Sequence, residues 1–127
     1  MSDYWTKLSN DKWETAKGLM KLKRYADTLF FCHLSLEALL KGGIVLNTKR
    51  PAPYIHNLAE LADLAKLDTD DEQFGQLKEI TTFNIRGRYD DYKNTFYKKS
   101  TKKYTEEYFE ITKKLRIWIK KNIQPKK

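Results

Sequence analysis

Apolar side chains recur every three to four positions along most of the chain. That is the period of a helix with one face on a core. Over residues 3–22, Trp5, Leu8, Trp13, Ala16, Leu19, Met20 and Leu22 share a side, and Asp3 is placed to cap the start. Residues 24–46 predict a second helix, with Tyr25, Ala26, Leu29, Phe30, His33, Leu36, Leu40 and Val45 together on a helical wheel. Phe31, Ala38 and Leu39 widen that stripe, so this helix belongs at the centre of the fold. Gly42 and Gly43 weaken its end and permit a neighbour to approach closely.

Pro51 and Pro53 make "NTKRPAPYIHN" a loop, because proline cannot continue a helix and biases the residue before it towards extended backbone. His56 and Asn57 then open a short helix with Leu58, Leu61, Leu64 and Ala65 inward. The acidic run "DTDDEQ" starts another, over 70–84, with Phe74, Leu77, Ile80 and Phe83 inward. A last helix spans 102–123, where Tyr104, Tyr108, Ile111, Leu115 and Trp118 form an apolar seam. Its outer side carries Lys113, Lys114, Arg116, Lys120 and Lys121, and Lys126 and Lys127 form a short tail. No alternating segment bounded by turns suggests a strand. The expected fold is all-α, an up-and-down bundle of four to five helices forming a single domain over residues 1–127.

Composition changes this picture little. With 40% hydrophobic and 33% charged residues, the chain falls with folded soluble proteins. The lone Cys32 excludes an intrachain disulfide and fits a reducing compartment. "MSDYWTKLSNDKW" lacks the apolar core of a signal peptide, and His33, Ser35 and Glu37 interrupt the longest apolar stretch. The expectation is a cytoplasmic protein without a membrane span.

Charge changes it more. Residues 1–85 carry 11 Lys+Arg against 12 Asp+Glu, whereas residues 86–127 carry 14 against 5. The whole positive excess lies in the last third, which suits either an anionic partner or a solvated basic helix.

"NIRGRYDDYKN", residues 84–94, concentrates the candidate chemistry. Arg86 and Arg88 can fork onto phosphate oxygens, or pair with Asp90 or Asp91, or cap a helix end. Tyr89, Tyr92, Phe96 and Tyr97 among basic groups such as Lys93 can stack on bases. Tyr89 and Phe96 equally suit core or dimer-interface anchors. Glu37 and Lys41 stand one turn apart and can pair. Glu37 is flanked by leucine and alanine, so a buried carboxylate there needs a partner, and His56 is the expected one. His33 reads as a core histidine. No Cys/His/Asp cluster has metal-ligand spacing and no glycine-rich phosphate loop occurs, so no metal or cofactor is expected.

The order of these features resembles the HEPN family, small prokaryotic helical-bundle proteins often paired with minimal nucleotidyltransferases. The matching residues are Arg24-Tyr25-Ala26, the "LEALLK" run containing Glu37 and Lys41, "HNL" at 56–58, and Arg88-Tyr89. The resemblance implies an up-and-down bundle, commonly a homodimer. Ribonuclease members of the family use an arginine followed, after four to six residues, by a histidine, and act on RNA without metal. Here those positions hold Asp91, Tyr92 and Lys93 after Arg86, and Lys93, Asn94 and Thr95 after Arg88. Metal-free cleavage needs a proton carrier effective near neutral pH, and tyrosine, with an ordinary pKa of about 10, is a poor one. An aspartate beside arginines is a weakened base.

The resemblance therefore implies a binding or interaction module. Its partners would be a nucleotidyltransferase, as in toxin–antitoxin pairs, and RNA or a nucleotide held by Arg86, Arg88, Tyr89, Tyr92 and Lys93. One alternative is a variant ribonuclease toxin, with Arg86 or Arg88 on the phosphate and Asp91 or Tyr92 handling protons. Another is a helical scaffold with no nucleic-acid role.

Overall fold

The computed structural model describes residues 2–123, with side chains from Tyr4 onward. Asp3 falls inside α1 and its side chain lies outside what is described; the Lys126–Lys127 tail lies outside the described residues. Six helices follow in order: α1 (Ser2–Lys21), α2 (Tyr25–Thr48), α3 (Leu58–Leu64), α4 (Asp71–Thr81), α5 (Asp90–Lys99) and α6 (Lys102–Asn122). No strand occurs among the described residues. The fold is all-α, as the periodicity predicts, with one helix more than the pattern suggests.

The additional helix is α5, within and beyond the polar corner. Only Phe96 of α5 is buried, so the apolar repeat that would reveal a helix is missing. Charge placement supplies the order instead. Asp90 and Asp91 fill the first turn, and Lys98 and Lys99 the last, each sign matching the helix dipole.

Helix starts follow local chemistry. Asp70 and Gln73 form a reciprocal capping box at α4, while Asn57 caps α3 and Thr101 caps α6 through their side-chain oxygens. Three helix ends close unusually, on lysine. Lys23, Lys49 and Lys66 adopt left-handed backbone at φ 59°, 57° and 64°. At Lys23 and Lys66 paired bonds wrap the terminus, Arg24 N–H to Leu19 O with Lys23 N–H to Met20 O, and Leu67 N–H to Ala62 O with Lys66 N–H to Asp63 O, while Lys49 N–H bonds Val45 O at the end of α2.

α2 runs through the centre and touches every other helix. Leu29, Leu36 and Leu40 from it meet Leu58, Leu61, Leu77, Ile80 and Ile119, all fully buried. By length and composition α2 could cross a membrane, despite its three polar interruptions, but most of its apolar window is buried against the other helices. Phe83, just past α4, is the aromatic hub. Phe96, Tyr104 and Tyr108 surround its ring at 5.7, 5.9 and 5.5 Å. That contact docks α5 and α6 on α4. The Tyr104 hydroxyl bonds Glu79, which also pairs with Lys99 at 2.6 Å.

Four side chains depart from the expected faces. Leu22, Leu64 and Phe74 are exposed rather than inward, because each falls at a helix end or on the outer edge of a short helix. Arg116 is buried, not on the outer basic side of α6. It sits on the same face as Thr112 and Ile119 and reaches across to α1.

Gly42 and Gly43 let neighbours approach α2 closely. A Cβ on Gly42 would stand 2.8 Å from Trp5 Cβ, an atom rooted to the α1 backbone, whereas one on Gly43 would meet the side-chain tip of Ile123 at 2.5 Å. Gly42→Ala should therefore destabilise by about 1–3 kcal/mol through overpacking. Gly43→Ala should stay within about 1 kcal/mol of wild type, helped by helix propensity. Urea denaturation of both variants checks this, and equal effects would contradict it.

Candidate functional site

The site grows from one buried carboxylate. Glu37 lies mid-α2 among leucines, with its side chain 8% exposed. A charge so placed must be paired. Three segments supply the partners. Lys41, one turn on, holds Oε2 at 3.2 Å. His56 Nδ1, from the loop before α3, meets the same oxygen at 2.5 Å. Arg86 Nη2, from the loop before α5, donates to Oε1 at 3.1 Å. Burial alone would push the Glu37 carboxyl up; the His56 hydrogen bond and the charge and hydrogen bond of Lys41 outweigh it and hold it below its ordinary value.

Arg86 is positioned from several sides. Asn84 Oδ1 accepts from its backbone N–H at 3.2 Å and from its Nε at 3.3 Å. Its guanidinium lies 6.0 Å from the Phe30 ring centroid and 3.5 Å from His56 Nδ1. Half of Arg86 remains exposed, as does 44% of the His56 side chain. Gly87 then turns the chain at φ 70°, a conformation that favours glycine, and Arg88 N–H closes the turn onto Ile85 O at 3.3 Å.

Beyond the turn the chain faces water. Arg88 stacks on Tyr92, guanidinium carbon to ring centroid 4.3 Å, and Tyr92 is fixed by its hydroxyl donating to Thr82 O at 2.6 Å. Tyr89 is 85% exposed and makes no side-chain cap bond. Lys93, one turn on along α5, is exposed, as is Asp91. Neither Arg86 nor Arg88 pairs with Asp90 or Asp91 among the described residues. The two arginines thus divide: Arg86 inward to Glu37, Arg88 outward on Tyr92. Phe96 enters the core, while Tyr89 does not.

His33 completes the interior. It is fully buried, and its Nε2 lies 3.2 Å from His56 O, so Nε2 carries the proton as donor. Its Nδ1 has no partner among the described residues. Burial pushes its pKa down to about 4, against the opposing pull of Glu37.

Tyr54 and Asn84 also belong to the site, though residue type does not single them out in the sequence. Tyr54 is exposed and sets its ring edge-on to His56 at 6.3 Å. Tyr54 stands two residues from His56 and Asn84 two from Arg86, and that proximity was the available signal. Among the described residues no group of His, Cys, Asp and Glu could hold a metal.

The arrangement is a helical bundle presenting a braced arginine–tyrosine loop beside a histidine–carboxylate pair. The sequence matches the HEPN domain model over residues 2–123, and the chain belongs to the HEPN family. Its fold is similar to the crystal structure of TT1696 from Thermus thermophilus, with a TM-score of 0.76 and 21% identity, covering 94% of this chain and 96% of that one. No curated protein matches the sequence.

Glu37 and His33 each generate a prediction. Glu37→Gln should destabilise by about 3 kcal/mol, since it leaves Lys41 and Arg86 without their counter-ion. His56→Ala should add less in the Glu37→Gln background than alone, a coupling read from denaturation of the two single variants and the double. His33 stays neutral when folded, so below its unfolded pKa of about 6.5 the unfolded chain takes up the proton first. Stability from this group is complete above pH 6.5 and is lost by roughly 3 kcal/mol as pH falls to about 4. His33→Gln, which keeps a donor towards His56 O, should flatten the melting temperature over that range; an unchanged slope would contradict it.

Proposed function

We propose that the chain is a single HEPN module of the cytoplasm that binds RNA or a nucleotide through the loop 86–93. Its role is recognition, acting as a homodimer and in company with a nucleotidyltransferase partner, as the family resemblance implies. The observation that carries this reading is the outward half of the loop. Arg88 is held in place by Tyr92 and left open to solvent, beside exposed Tyr89 and Lys93. A pre-ordered guanidinium loses little freedom on meeting a phosphate, and an exposed aromatic offers a base a stacking face. The excess of positive charge over residues 86–127 adds long-range attraction.

A second reading, a variant metal-independent ribonuclease, is favoured by His56. Its Nδ1 is anchored on Glu37 and Arg86 stands beside it, an imidazole that the spacing after Arg86 and Arg88 does not supply. In that reading His56 takes the 2′-hydroxyl proton as the O2′–phosphorus bond forms and the P–O5′ bond breaks, with water protonating O5′.

Fluorescence anisotropy with a labelled single-stranded RNA tests the binding role. Arg88→Ala/Lys93→Ala should weaken binding about tenfold or more at low salt, and lower the log–log salt slope by about 1.4 for two lost phosphate contacts. Unchanged affinity and slope would contradict it. Incubation of the same RNA with wild type and His56→Ala in chelator separates the readings: intact RNA in both fits binding alone, and cleavage lost in the variant selects the ribonuclease.

A further inference from the structure

Arg116 is the most deeply buried cation among the described residues, 5% exposed, and no carboxylate pairs with it there. Its partners are neutral. Nη1 donates to the Ser9 hydroxyl at 2.5 Å and to Ser9 O at 3.3 Å, and Nη2 donates to Asn10 Oδ1 at 2.9 Å. Lys120 Nζ donates to that same amide oxygen at 3.1 Å. Two cations therefore share one uncharged acceptor. The nearby carboxylate, Glu14, is engaged at 2.7 Å by Lys17.

Asn10, Arg116 and Lys120, with Glu14 at its edge, line a cleft of about 410 Å³ between α1 and α6, which Lys113 also borders. Lys113, Arg116 and Lys120 follow one another at three- and four-residue steps, so they stand on one stripe of α6. Buried or half-buried charge is ordinarily neutralised by a partner of opposite sign. Burial depresses both Arg116 and Lys120, and Arg116 pushes Lys120 down further. An anion in the cleft would relieve both effects.

We propose that the α1–α6 cleft is a binding site for a phosphate group, held by Lys113, Arg116 and Lys120. The ligand is recognised by charge rather than by a base. Trp13, in the same cleft, has Phe109 stacked on it at 4.7 Å and Arg116 over its ring at 5.4 Å, so its ring is already covered. The cleft volume lies within the range of small-ligand pockets. A free phosphate or phosphomonoester and a nucleic-acid backbone share this chemistry.

Inorganic phosphate is titrated into the protein in a non-phosphate buffer, with sodium chloride at matched ionic strength as control, and the melting temperature is followed. A saturable rise of several degrees is expected with phosphate and not with chloride. Lys113→Gln/Lys120→Gln should abolish it. Lys113→Gln alone should weaken it, since Lys113 makes no hydrogen bond among the described residues whose loss could disturb the fold. Arg88→Ala/Lys93→Ala should leave the rise intact, which separates this cleft from the loop. Absence of a phosphate-specific rise, together with lowered RNA affinity in the cleft double variant, assigns the phosphate to a nucleic-acid backbone. A rise identical in wild type and the cleft variants, or neither a rise nor an RNA effect, overturns the proposal.

Discussion

The buried carboxylate of Glu37 is the interaction on which the candidate site depends. A lone ionised group inside a leucine-rich helix is untenable, so partners must come to it. They come from α2 itself, from the loop before α3 and from the loop before α5. Two otherwise independent loops are thereby tied to the central helix at one point. Such a knot adds little net stability over an apolar core of equal shape. Its effect is positional, fixing where Arg86 lies and hence where Gly87 turns and Arg88 emerges.

The second inward arginine has a comparable role elsewhere. Arg116 joins α6 to α1 through Ser9 and Asn10, and Ser9 in turn donates to Ser35 O of α2 at 2.7 Å. The difference lies in charge. Arg86 is answered by a carboxylate, whereas Arg116 and Lys120 meet only neutral oxygens among the described residues. The first arrangement is closed and positions a loop, and the second remains open to an anion. The likeness to TT1696 at 21% identity extends to fold alone, and the proposed function rests on these side chains rather than on the bundle.

Much of this was legible in sequence. The apolar stripe of α2, the acidic start of α4 and the seam of α6 follow from period and capping chemistry, which act within a few residues. The pairing of Glu37 with His56 could be reasoned from desolvation, since a carboxylate among leucines needs a partner and the chain has two histidines. What stayed hidden depends on long range or on end effects. α5 lacks an apolar repeat. Arg116 carries a charge that pattern reading assigns to water, yet its neighbours across the helix interface are Ser9 and Asn10, over a hundred positions away. Lys23, Lys49 and Lys66 occupy left-handed positions that composition would give to glycine.

The claim that Glu37 acts by holding the loop is tested most directly by the RNA affinity of Glu37→Gln, measured well below its melting temperature. Removing a carboxylate raises the net charge by one, so simple electrostatics favours tighter binding to RNA. Loss of the anchor for Arg86 instead releases the loop that presents Arg88 and Tyr89, and the account predicts weaker binding. Unchanged or tighter binding by the folded variant would contradict it.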